Sequence, residues 1–269
     1  MDVVGTKRRR KLNDEQLEVL RLLHKFRFGT NDLFAQYFGK KDRSFVYKRL
    51  SILQERGLVG KRFDTSYRLQ GKPAAYYLTP DGARALQEAD KSDINIKAIY
   101  KDRNVSDKFV AHSLELFAIR NQLYTQYDDD LRFFTRANMN REEYDYFPRP
   151  LPDVYIRLKS SDKHFFLDIF HDDEPSFVAK RRMKQYVKYD EDGDWAVTET
   201  DLPVVLAVCE SPNLAKRVQK YMAKALDDAW SDSEVVFAFT TKAEVMSGEL
   251  VVWQRADEPG EKFPLQDIQ

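Results

Sequence analysis

The run Pro203-Val204-Val205-Leu206-Ala207-Val208-Cys209 carries no charged or strongly polar side chain. A strand that reads this way is covered on both faces, which demands a sheet with helices packed on it. The segments around it meet that demand. Residues 153–158 alternate apolar and polar, 159–163 read as a turn, and 164–170 as the hairpin partner. A Lys- and Arg-rich helix over about 175–189 leads into the apolar run, and a helix over 213–230 leads out of it. A second buried strand at 235–240 and an edge strand at 249–254 follow. Upstream, 105–127 has helical periodicity, with Val110, Leu114, Phe117 and Tyr124 on one side and Leu116, Ile119 and Leu123 on the other. A helix apolar on two sides packs between other elements. Residues 131–135 read as a strand and 138–152 as a loop. A hairpin followed by crossovers predicts a mixed sheet flanked by helices.

A chain of 269 residues has room for one large domain or two modest ones. Its formal charge is zero, 44 basic against 44 acidic residues, but the charges are not evenly spread. Residues 1–90 hold 19 Lys and Arg against 11 Asp and Glu, whereas 91–269 hold 25 against 33. Partners meet local fields, so the basic first part points to nucleic acid and the acidic second part does not. No apolar run approaches the ~18 residues of a membrane-spanning helix. The start, basic from Lys7 to Lys11 with no apolar stretch behind it, does not read as a secretory signal. Cys209 is the only cysteine, which excludes intramolecular disulfides and cysteine-cluster zinc sites and suits a reducing cytoplasm.

In the basic part, Asn13 or Asp14 caps a helix bearing Leu17, Leu20 and Leu23 that stops near Phe28-Gly29. Thr30 or Asn31 caps a short second helix. Asp42 opens a third over 43–56, with Gly57 as its stop. On this third helix Val46, Leu50 and Leu53 form one buried stripe, and Arg43, Ser44, Tyr47, Lys48 and Ser51 form the other face. Cations and hydroxyls of that kind hold phosphates, and the longer donors reach base edges. The segments 58–62, 67–73 and 75–79 read together as two strands joined by a turn at Gly71-Lys72-Pro73, a hairpin made basic by Arg62, Arg68 and Lys72. Thr79-Pro80-Asp81-Gly82 starts another helix through Leu86.

The run Arg49-Leu50, Leu53, Gly57-Leu58-Val59, Tyr77-Leu78-Thr79, Gly82, Leu86 resembles the winged helix-turn-helix superfamily. Winged helices bind double-stranded DNA, and some serve as protein-interaction modules. The expected organisation is a basic arm at 1–12, a winged helix at 13–90, a linker at 91–104, an α/β domain at 105–257 and a tail at 258–269.

Phosphate-cradling Gly-rich loops, HExxH and GxSxG are all missing from the sequence, and His24, His112, His164 and His171 share no metal-ligand spacing. A carboxylate set remains: Asp153 after Pro152 at the start of one strand, Asp168 near the end of its partner, and Asp172, Asp173 and Glu174 beyond. Carboxylates on adjacent strand ends hold a hard divalent cation for phosphodiester hydrolysis; the alternative is that they are ordinary strand-end and loop polar residues. The Pro-Asp pair followed by an acid on the hairpin strand resembles the PD-(D/E)XK nuclease fold. That resemblance implies Mg²⁺ or Mn²⁺ held by Asp153, Asp168 and Glu174, and catalysis by Asp153, Asp168 and a cation. The motif's lysine position holds Phe170, so Lys184, or Lys180, on the following helix is the candidate cation.

With a winged helix ahead of such a core, the chain over about 13–245 resembles the replication-relaxation family of plasmids and integrated mobile elements, related to relaxases of restriction-endonuclease type. Leu151 to Leu158, Phe165-Phe166-Leu167-Asp168, Glu174-Pro175 and the Lys184/Tyr186/Tyr189 helix carry the second half of the resemblance. Family members place Glu where Asp168 stands and an acid where Phe170 stands. The resemblance implies an α+β chain: a winged helix, then a restriction-endonuclease-like domain with a mixed sheet. It implies a DNA-binding protein acting in replication, relaxation, mobilisation or copy control, with a degenerate nuclease-like domain. A metal-dependent nickase, and a regulator whose second domain senses a ligand or dimerises, stay open. Partners expected are double-stranded DNA, mobilisation or replication proteins and, as an option, a second copy; a membrane is not expected.

Overall fold

Side-chain caps set several of the helix starts in the computed structural model, which describes residues 11–91, 93–229, 233–258 and 260–268. Of the basic arm expected at 1–12, only Lys11 and Leu12 fall among them. The described chain forms two units, one up to Leu114 and one from Glu115.

In the first unit, Asn13 and Gln16 form a reciprocal capping box for α1 (Asp14–Phe26). The stop near Phe28 is a two-residue strand, β1 (Phe28–Gly29). Thr30 caps α2 (Asn31–Tyr37). α3 (Ser44–Glu55) buries Val46, Leu50 and Leu53, the expected stripe. β2 (Val59–Arg62), α4 (Thr65–Leu69), β3 (Ala75–Leu78) and α5 (Pro80–Asp90) follow. The strands pair antiparallel in the order β1-β3-β2. The β2–β3 connection is more than the expected turn, because the Asp64 carboxylate accepts the Tyr67 N–H at 3.1 Å and nucleates α4. α5 is seated on β2 so closely that a Cβ on Gly82 would lie 2.0 Å from the Leu58 carbonyl oxygen.

The segment expected as a linker is folded in its described residues from 93 to 104. Asn95 caps α6 (Ile96–Tyr100), and a 3₁₀ turn over Lys101–Asn104 buries Asp102 completely against the Arg27 guanidinium. α7 (Asp107–Tyr127) then begins, and none of its residues from His112 to Tyr124 is exposed, as its two apolar stripes require.

The second unit is a six-stranded sheet in the order β4-β5-β6-β7-β8-β9. β4 (Leu131–Thr135), β5 (Val154–Leu158) and β6 (Lys163–Phe170) form an antiparallel meander. The loop between the first two contains α8 (Arg136–Met139) and a 3₁₀ turn. From β6 the chain crosses through α9 (Ser176–Asp192) to parallel β7 (Val204–Cys209), then through α10 (Pro212–Asp228) to parallel β8 (Phe237–Thr241). Both crossovers step the same way across the sheet, so α9 and α10 share one face of it. There Tyr186, Met183, Val218 and Met222 pack on Phe166, Phe170 and Phe237. All six residues of β7 are buried, as its apolar run demands. α11 (Lys242–Met246) leads to the antiparallel edge strand β9 (Gln254–Arg255). The expected tail folds back too: Phe263 bridges Trp253, and Leu265 and Ile268 are buried.

Candidate functional site

Two places in the fold gather the candidate residues. In the first unit, Asp42 caps the entry to α3, accepting the Ser44 N–H at 2.8 Å and the Ser44 hydroxyl at 2.5 Å. Both bonds hold the Asp42 carboxyl below its usual range. Ser44 is thereby turned onto its own helix start. Arg43 is exposed but its Nε lies 2.8 Å from Asp32. Tyr47 and Lys48 project outward, with Tyr47 56% exposed, and Ser51 is half-buried.

Tyr76 of β3 is buried in the hairpin. Burial, then the neighbouring Tyr47, raises the Tyr76 hydroxyl above its ordinary pKa. Lys61 of β2 stands 5.8 Å from the Tyr76 ring and directly across the ladder from it. Arg68 and Lys72 are exposed, over the rings of Phe63 and Tyr67 at 5.2 and 5.8 Å. Arg62 differs from the other expected contacts. Its guanidinium donates to the Val105 carbonyl at 2.6 Å and to Asp107 at 2.7 Å, tying β2 to the start of α7.

In the second unit, strand register explains the carboxylate pair. Val154 faces Leu167, so Asp153 faces Asp168; Thr135 faces Val154, so Arg136 lines up with Asp153. Like charges directly opposite repel, and here each has its own cation. Arg136 places Nη2 2.9 Å from Asp153 Oδ1 and donates Nε to the Pro152 carbonyl at 3.2 Å. Asp153 Oδ2 accepts the Ile169 N–H at 3.0 Å. Asp168 Oδ1 accepts the Asp153 N–H at 3.1 Å. Asp168 Oδ2 accepts Arg182 Nε at 2.6 Å and the Tyr186 hydroxyl at 2.7 Å. Arg182 also donates to the Pro150 carbonyl at 2.6 Å and to Tyr186 at 2.7 Å. Burial disfavours the Arg182 cation, but Asp168 and Tyr186 outweigh it, and the guanidinium pKa is raised. Tyr186, fully enclosed, is pushed far above the ordinary phenol range, first by burial.

Lys184 is not part of this centre. Two residues along a helix is about 200° of rotation, so it faces outward while Arg182 faces in, and its ammonium pairs with Asp228 of α10 at 2.9 Å. Arg182, unnoticed in the sequence, is the cation at Asp168; its spacing of three from Ala179 and four from Tyr186 marks it as part of the buried stripe. Glu174 also stands apart. It lies in the turn before α9, in a small cleft with His171, Ser176 and Arg217, beyond the buried Phe170.

A hard divalent cation needs carboxylate oxygens turned toward a common point. Here the four oxygens of Asp153 and Asp168 each accept a hydrogen bond or an ion pair, and two guanidinium groups stand where a metal would be repelled. Among the described residues no group of three or more His, Cys, Asp or Glu could hold a metal ion. This arrangement does not fit the expected Mg²⁺ or Mn²⁺.

Comparison with curated proteins found no match, and comparison with solved structures found none. The replication-relaxation family model matches residues 20–205, from within α1 through α3, the carboxylate pair and the Arg182–Tyr186 turn to β7. That match takes in well over half of the chain, which therefore belongs to the replication-relaxation family.

Proposed function

We propose that this chain is a double-stranded-DNA-binding protein of a plasmid or integrated mobile element, acting in its replication, relaxation, mobilisation or copy control. In this reading the first unit is a winged helix that lays α3 in the major groove, as helix-turn-helix proteins do. The observation that carries it is the exposed Tyr47 and Lys48 face of α3, together with the exposed cations Lys61, Arg68 and Lys72 of the hairpin. Lys61, Arg68 and Lys72 would contact phosphates beside it. The second unit is read as a nuclease-like fold whose centre has become an ion-pair network. Family membership supports the role in replication or relaxation.

The test is incubation with supercoiled plasmid carrying the cognate element, with and without Mg²⁺ or Mn²⁺, scored for binding and for nicking. Binding that is independent of the metal, without nicking, is expected. Metal-dependent nicking lost in Asp153→Ala would establish a nickase instead. Binding confined to a promoter would favour the regulator.

A further inference from the structure

The second unit is acidic over its length, yet one surface of it is not. Lys180, Arg181, Lys184 and Lys188 on α9 recur at the same spacing as Lys216, Arg217, Lys220 and Lys224 on α10. Both quartets read Lys-Arg-x-x-Lys-x-x-x-Lys. Lys180 stands four residues into a helix that begins at Ser176, and Lys216 four residues into one that begins at Pro212. At about 100° per residue each quartet spans a single arc of the helix, and its eight-residue reach covers roughly 12 Å. All eight residues are exposed, and the opposite sides of both helices are buried on the sheet.

Because β6, β7 and β8 are parallel neighbours, the two crossover helices run in the same direction, side by side. The two rows lie roughly the usual 8–10 Å of packed helices apart, staggered along the axis by more than a turn, since Lys180 stands over Tyr221 and Lys184 reaches Asp228. Partners divide the eight. Asp228 draws on Lys184 and Lys224, and Asp172 on Arg217. Lys180 stands over the Tyr221 ring. Arg181, Lys188, Lys216 and Lys220 have no carboxylate partner among the described residues. Cations without carboxylate partners, set on adjacent exposed rows, are free to neutralise the phosphates of a regular polyanion and release its condensed counterions.

We propose that the outer face of α9 and α10 is a second duplex-binding surface, one that grips the phosphate backbone of double-stranded DNA without reading sequence. It extends the proposed function but stands on different residues from the α3 face. The experiment measures binding of the full chain to a labelled random-sequence duplex across a potassium chloride series. The wild type is compared with a variant carrying Arg181→Gln, Lys188→Gln, Lys216→Gln and Lys220→Gln. A charge-keeping variant exchanges Lys and Arg at the same four positions, and a third carries Tyr47→Ala with Lys48→Glu. Circular dichroism melting confirms folding. The glutamine variant should lose roughly 2 to 4 from the slope of log affinity against log salt, about 0.9 for each phosphate contact removed, and the charge-keeping variant should lose none. A slope lowered by less than about 1 in a folded glutamine variant overturns the proposal. If only the α3 variant weakens binding, this surface is refuted and the α3 reading stands. If only the glutamine variant weakens it, the reverse holds. A wild type that binds no duplex at the lowest salt overturns both.

Discussion

Arg182 Nε lies 2.6 Å from Asp168 Oδ2, and both side chains are less than a tenth exposed. A buried pair of this kind contributes little net stability against an apolar alternative, but removing one partner strands the other charge. Arg182→Ala should therefore cost about 3–5 kcal/mol in urea unfolding. Arg182→Met combined with Asp168→Leu should cost much less than the sum of the single changes. Lys184→Ala, which removes only a solvent-exposed pair, should leave the urea midpoint unchanged.

The same donors predict indifference to metal. A bound ion at a hundred times its dissociation constant would add about 2.7 kcal/mol to folding. Because Arg136 and Arg182 already neutralise Asp153 and Asp168, added Mg²⁺ or Mn²⁺ should leave the thermal midpoint where chelator leaves it. A metal-induced rise that disappears in Asp153→Asn would show that Arg136, 57% exposed, can swing aside for an ion.

Much of this was legible in the sequence, for identifiable reasons. The third helix, the hairpin pair and the buried β7 follow from period and apolar content, which depend on local residues. The facing of Asp153 and Asp168 follows from a short hairpin whose register is fixed by alternation. Arg182 was hidden because a charged residue in a Lys- and Arg-rich helix reads as surface until the sheet beneath is known. The role of Arg62 was hidden for a related reason, since its partners Val105 and Asp107 are remote in sequence. The folding of 93–104 draws on contacts that composition cannot reveal, the burial of Ile94 and Ile99 and the ion pair of Arg27 with buried Asp102.

Arg62 and Lys48 should therefore separate under mutation. Lys48→Glu should weaken duplex binding and flatten its salt dependence, by about 0.9 in slope if the contact is to one phosphate and by more once repulsion is added. Arg62→Ala should instead lower the thermal midpoint of the first unit, since it removes two bonds between β2 and the start of α7. Its salt slope should stay that of the wild type. Binding assays and differential scanning calorimetry on the two variants check both halves.

His164 gives the second unit a pH response. Its ring is stacked on Tyr155, with centroids 5.8 Å apart and planes 17° apart, and Nδ1 shares a hydrogen bond with the Tyr155 hydroxyl. Burial lowers its pKa; Asp162 and the more distant Asp201 oppose that shift, and Arg157 adds to it. With the folded value below the unfolded one, the unfolded chain binds more protons across the interval between them, and stability rises with pH there. The contribution is complete above the ordinary imidazole pKa of ~6.5 and is lost as pH falls through the lowered folded value. Urea midpoints should fall from about pH 7.5 to about pH 5.5 in the wild type, around the imidazole range. His164→Gln keeps a polar partner for Tyr155 and cannot titrate, so its midpoints should fall less over that interval. Equal falls in both proteins would assign the response to other groups, the paired carboxylates first.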